Sequence, residues 1–179
     1  MLNKAKAFAE KAHRGQTRKN SNTDYIVHPI RVAERLSEAG CSEAVISAGY
    51  LHDVVEDTSV NLEDLVREFG QEVARIVSAH TEDKSKSWQE RKQHTIDTLR
   101  TAPKEVKCLI VADKLDNLLS LEEDLKRIGN DVWENFNAGK DHQRWYYESI
   151  AKEMDNNLSE AEIPLFFKEY TRTLYRVFT

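Results

Sequence analysis

Proline and glycine are scarce in this chain, with 3 prolines and 6 glycines among 179 residues. A many-turned β protein needs these residues at its reversals, so their scarcity argues against that class and for long helices with short connections. Apolar runs are short too. None approaches the roughly 18 residues needed to span a bilayer, and the opening Met1-Leu2-Asn3-Lys4-Ala5-Lys6 lacks the apolar core of a signal peptide. The only cysteines, Cys41 and Cys108, form no metal-type pair, and a reduced, cytoplasmic setting is the expectation. Excess positive charge is also missing. The formal net charge is −5, which leaves no footprint for nucleic acid or an anionic membrane. A phosphate-bearing ligand would have to be met by a local basic cluster or a metal.

What is present suits a globular protein with a heavily charged surface: 40% hydrophobic and 32% charged residues. The apolar spacing predicts a helix over residues 2–13, a polar loop from Arg14 to Val27, and a second helix with Pro29 in its first turn and Gly40 after its end. Ser42 is the expected N-cap of a third helix running on towards Asp57, and Asn61 that of a short helix ending at Phe69-Gly70. Helices are then expected from about Glu72 to His80, Trp88 to Thr101, Lys104 to Leu119, and near 121–128, 131–155 and 159–176, with a break around Asn137-Ala138-Gly139. No repeat or linker interrupts this order. The expected fold is therefore all-α, a compact bundle of about eight to ten helices in one domain spanning residues 1–179, with the helix near 159–176 packing on the rest.

Three segments carry chemistry. Leu51-His52-Asp53-Val54-Val55-Glu56-Asp57-Thr58 sets an adjacent His and Asp on a predicted helix, with Glu56 four residues after His52 and Asp57 four after Asp53. Such spacing clusters four polar groups on one face. Imidazole with carboxylate suits a divalent transition metal. The bland alternative is an acidic helix end facing water, although the helix dipole disfavours acids at a C-terminus. Tyr25-Ile26-Val27-His28-Pro29 places a histidine at a helix start, where a cap or loop role is the ordinary one. Leu109-Ile110-Val111-Ala112-Asp113-Lys114-Leu115-Asp116-Asn117-Leu118 buries Asp113 in an apolar run, where either a metal or a salt bridge could satisfy it.

Taken in order, His28, His52-Asp53 and Asp113 resemble the H…HD…D signature of the HD superfamily. The strings Ala12-His13-Arg14-Gly15-Gln16-Thr17-Arg18-Lys19, Tyr25 to Pro29, His52 to Thr58, His80-Thr81-Glu82-Asp83-Lys84 and Ala112 to Leu118 are similar to the hydrolase domain of RelA/SpoT proteins, especially the stand-alone small alarmone hydrolases of the Mesh1-like kind. The resemblance covers roughly residues 4 to 150. It implies an HD-type helical fold, with His28, His52, Asp53 and Asp113 as ligands of one manganese ion (Mn2+). It also implies Glu56 and Asp57 as the acidic pair that activates water, and Arg18, Lys19 and Asn117 as contacts to a guanine nucleotide. The implied reaction is hydrolysis of guanosine 3′-diphosphate 5′-di- or triphosphate to GDP or GTP and pyrophosphate. Another HD-type nucleotide phosphohydrolase, such as a nucleotidase or an NADPH phosphatase, and a non-catalytic nucleotide-binding regulator are the rival readings. Asp116 departs from the pattern, since relatives usually carry His or Tyr there, and contacts beside the nucleotide are expected to differ. An aromatic among Trp133, Phe136, Trp145, Tyr146 and Tyr147 either closes over the substrate or belongs to the core. His13, His80, His94 and His142 are expected to be structural or surface residues, and the oligomeric state is open.

Overall fold

The computed structural model describes all 179 residues and is built of helices. Ten α-helices run in the order α1 (Leu2–Ala12), α2 (Val27–Glu38), α3 (Glu43–Leu51), α4 (Val54–Asp57), α5 (Leu62–Phe69), α6 (Gln71–His80), α7 (Trp88–Thr101), α8 (Lys104–Ile128), α9 (Lys140–Glu153) and α10 (Leu165–Phe178). Two 3-10 turns, Gly129–Asn135 and Glu160–Glu162, join the last three. The all-α expectation holds. No helix is long and apolar enough to cross a membrane.

Caps set many of the boundaries. The Ser42 hydroxyl accepts from the Val45 amide, and Asn61 with Asp64 forms a reciprocal capping box. Ser87 with Glu90 does the same for α7. Gly40, Gly70 and Gly129 take positive φ just beyond α2, α5 and α8, where a side chain would be strained.

Two expected boundaries are wrong. The third helix does not run on to Asp57. It ends at Leu51, the chain turns at His52-Asp53, and a single new turn of helix starts at Val54. Glu56 and Asp57 thus lie in the first turn of α4, so the supposed clash with a C-terminal dipole does not arise. The helices expected near Lys104–Leu119 and 121–128 are one, since Leu119-Ser120-Leu121 contains no residue able to stop α8 before Gly129. The break expected inside 131–155 is present, with the 3-10 turn before it and α9 after it.

α8 is the axis of the packing. It touches α2, α3, α6 and α10, and it is buried nearly all round from Val106 to Leu118. α10 lies along it and also contacts α9. α2 and α3 approach each other closely at Gly49. A Cβ there would come within 2.9 Å of Leu36 Cδ1 and 3.0 Å of the Ala33 Cα. That missing methyl group lets the end of α3 pack closely on the middle of α2, and α8 packs against both helices.

Candidate metal centre and substrate cleft

His28 opens α2, His52 and Asp53 occupy the turn after α3, and Asp113 sits midway along α8. The fold brings them together. His28, His52 and Asp113 each direct one ligand atom into a space in which these atoms lie within 4.8 Å of one another, and all three side chains are buried. Asp113 Oδ1 is 3.0 Å from His28 Nε2 and 3.4 Å from His52 Nε2. Asp53 Oδ2 is 3.0 Å from His52 Nε2 and 3.6 Å from His28 Nε2.

The second nitrogen of each imidazole decides what the first can do. His52 Nδ1 donates to the Gly49 carbonyl at 2.8 Å, and His28 Nδ1 donates to Asp116 Oδ2 at 2.6 Å. Each ring therefore carries a proton on Nδ1, which leaves Nε2 as the nitrogen whose lone pair a metal would take. The two Nε2 atoms face each other at 3.2 Å. Two lone pairs flanked by two carboxylates repel unless a cation lies among them, and the donor set suits a divalent metal. With protons alone to fill that role, burial would lower the His52 pKa, but Asp53 and Asp113 overcome this and hold it well above its ordinary value. Burial would likewise raise Asp113, yet Lys114 and His52 hold it well below the carboxylate range.

The carboxylates are held from behind. The Tyr25 hydroxyl donates to Asp53 Oδ2 at 2.6 Å, and burial with the nearby Asp53 charge keeps that phenol protonated. His80 Nε2 donates to Asp113 Oδ2 at 2.6 Å, and Lys114 Nζ lies 3.0 Å from the same oxygen. Oδ1 is thus the oxygen that faces the imidazoles, and Asn117 Nδ2 also donates to it at 3.3 Å.

Of the two roles expected for His80, structural or surface, it takes the structural one, buried and bonded to Asp113. Its place in the apolar series Val73, Val77, His80 of α6 was the signal that it points inward. Asp116 does not lie in contact with a nucleotide pocket. It is 2% exposed and turned to His28 and Arg31. A second carboxylate one turn after Asp113 in a buried helix was the available clue.

Glu56 and Asp57 stand beside this centre. Glu56 Oε1 accepts from the Glu82 amide, and burial with the charge of Asp53 pushes its pKa up to about 7. Asp57 Oδ1 pairs with Lys84 Nζ at 2.7 Å. The expected polar loop over 14–27 is a tight hairpin, with Thr17 bridging Asp24 and the Arg18 amide bonded to the Thr23 carbonyl at 2.8 Å. It aims Arg18 at Asn117 Oδ1, 3.0 Å away, and sets Lys19 Nζ 4.6 Å over the Phe136 ring.

These residues line two adjoining pockets, a metal end and an aromatic end, that share part of their walls. The metal end, about 370 Å³, is walled by His28, Asp53, Glu56, Asp57, His80 and Asp113. The other end, about 300 Å³, is walled by Trp88, Phe136, Tyr146 and Tyr147 among others. Arg18, Lys19, Lys92, Lys114 and Asn117 line both. Tyr146 and Tyr147 are both core residues and part of this wall, so the two readings of the late aromatics are not exclusive. Sequence reasoning missed Lys92 and Lys114. Lys114 is buried, and although burial alone would lower its pKa, Asp113 raises it well above the ordinary value and keeps it charged.

The buried group of His28, His52 and Asp113 gathered by α2, the end of α3 and α8 defines a helical protein with a His/Asp cluster consistent with a divalent-metal site. The HD domain family profile matches residues 5–142, and the chain belongs to the HD-domain family. It is homologous over nearly its full length to MESH1, being 35% identical over 173 residues to the guanosine-3′,5′-bis(diphosphate) 3′-pyrophosphohydrolase MESH1 of Xenopus tropicalis, which covers 94% of each chain. Among solved structures, lmo0812 from Listeria monocytogenes EGD-e superposes with a TM-score of 0.81 at 48% identity, over 84% of this chain and 93% of that one. A metazoan ortholog of SpoT, described as hydrolyzing ppGpp with a role in starvation responses, superposes with a TM-score of 0.80 at 30% identity, over 99% and 96%.

Proposed function

We propose that this chain is a manganese-dependent guanosine-3′,5′-bis(diphosphate) 3′-pyrophosphohydrolase, which cleaves ppGpp and pppGpp to GDP or GTP and pyrophosphate. The observation that carries the reading is the shared wall of two adjoining pockets: the His/Asp cluster borders one, aromatic side chains line the other, and Arg18, Lys19, Lys92 and Lys114 line both. A nucleotide with phosphates at both ends of its ribose needs such a surface.

In this reading His28, His52, Asp53 and Asp113 hold the ion, which when bound supplies Lewis acidity towards a phosphoryl oxygen and towards water. Glu56, with a pKa near neutrality, takes the proton from the attacking water, and Asp57 beside it orients that water. Water adds to the phosphorus attached to the 3′ oxygen, the bond from that oxygen to phosphorus breaks, and the 3′ oxygen leaves with a proton. Arg18, Lys19 and Asn117 contact the nucleotide. Arg18 and Lys19 offset phosphate charge, and burial followed by the neighbouring Arg18 lowers the Lys19 pKa, as expected for a cation waiting for an anion.

The test is a panel of nucleotides incubated with the purified protein and manganese. Pyrophosphate release from ppGpp is expected, with none after chelation. Orthophosphate released from another nucleotide, with ppGpp left intact, would replace this reading with a different HD-type phosphohydrolase.

A further inference from the structure

His28 is gripped on both edges by one helix. Asp113 and Asp116 are three residues apart on α8 and share a face. Asp113 Oδ1 meets His28 Nε2 at 3.0 Å, and Asp116 Oδ2 meets His28 Nδ1 at 2.6 Å. The ring cannot rotate without losing one of these contacts. The other Asp116 oxygen, Oδ1, forms an ion pair with Arg31 Nε at 3.1 Å, on α2 three residues beyond His28.

A carboxylate that is 2% exposed is costly unless charged partners satisfy it. Both partners of Asp116 come from α2, and the shorter contact is to an imidazole whose other nitrogen faces the metal centre.

We propose that Asp116 is a positioning residue for the metal centre: it fixes His28 in the tautomer with its lone pair on Nε2 and strengthens that nitrogen as a ligand. This rests on the reading of His28 as a ligand. The carboxylate accepts the Nδ1 hydrogen and draws negative charge onto the ring, which raises its affinity for a cation. Without Asp116 the neutral ring is free to move its proton to Nε2, where it cannot bind metal.

The test is manganese affinity, measured by calorimetry on otherwise metal-free protein, for the parent, Asp116→Ala, Asp116→Leu, His28→Ala and the double variants at 28 and 116. Asp116→Leu fills the side-chain volume and keeps the protein testable if the alanine variant folds poorly. Loss of an outer partner typically weakens metal binding about 10- to 100-fold, and that loss is expected for both Asp116 variants. In the His28→Ala background the same change is expected to cost nothing more, because Asp116 acts only through His28. Parent-like affinity in both Asp116 variants overturns the proposal, as does a loss that persists undiminished without His28. Parent-like affinity in His28→Ala would instead remove His28 from the ligand set, and the proposal with it.

Discussion

Asp53 and Glu56 lie a helical turn apart yet face different tasks, and substitution should separate them. Asp53 Oδ2 approaches both imidazoles, so Asp53→Ala is expected to lose bound metal and activity together. Glu56 makes no such approach in the hydrogen-bond and ion-pair geometry; it is bonded to the Glu82 amide. Glu56→Gln should keep the metal while turnover falls on the order of a hundredfold. Metal content by elemental analysis beside pyrophosphate release reads both, and proportionate loss of metal in Glu56→Gln would move that residue into the ligand shell. The sign of the pH effect follows from a carboxyl raised to about 7 by burial. It is protonated, and useless as a base, below that value, so the parent's turnover should fall on the acid side. A bound dication moves that limb to lower pH, and the Gln variant should lack it. At this scale the resemblance to the HD signature singled out His28, His52, Asp53 and Asp113, where local pattern alone left His28 as a cap and Asp113 open to a salt bridge. It did not reveal His80 or Asp116 as their partners, because those contacts join α6 to α8 and α2 to α8, across separations of 33 and 88 residues that no local pattern encodes.

Helices with a cap and a glycine stop were legible at both ends; those shaped by packing were not. Ser42, Asn61 and Gly40 act as their side chains or backbone freedom demand. The turn at His52-Asp53 was hidden because apolar residues continue through Val54 and Val55, so the pattern reads as uninterrupted helix. The same region holds the most sensitive glycine. Gly49 sits where α3 crosses α2, and its carbonyl also accepts from His52 Nδ1. Gly49→Ala would force its methyl group against the Ala33 backbone. Overpacking of this kind costs about 1–3 kcal/mol, and the shift should also pull His52 from His28. Lower stability by denaturant melts, joined by weaker manganese binding, is the expected outcome. A variant that melts earlier but binds metal as before would mean that α3 can slide without disturbing the site.

Across the whole molecule, the candidate ligands tie together α2, the turn after α3 and α8, spanning residues 28 to 113. No such cluster exists in an unfolded chain, so metal should stabilise the folded state. At a hundredfold excess over Kd the gain is about 2.7 kcal/mol, which for a chain of this size raises Tm by roughly 5–10 °C. Calorimetric melts with manganese and with chelator check this, and coincident curves would mean that these residues do not bind the ion in the folded protein. The net charge of −5 does not oppose an anionic substrate, because the cations that matter are gathered in the cleft. That cleft has a consequence for turnover. A substrate held at the metal end and at the aromatic end is bivalent, and each grip raises the effective concentration at the other. Hydrolysis cuts the tether between them. Pyrophosphate and the nucleoside phosphate then each keep a single grip, and the avidity that held the intact molecule is gone. In the proposed reading, the geometry that holds the intact substrate would therefore also let its two fragments go.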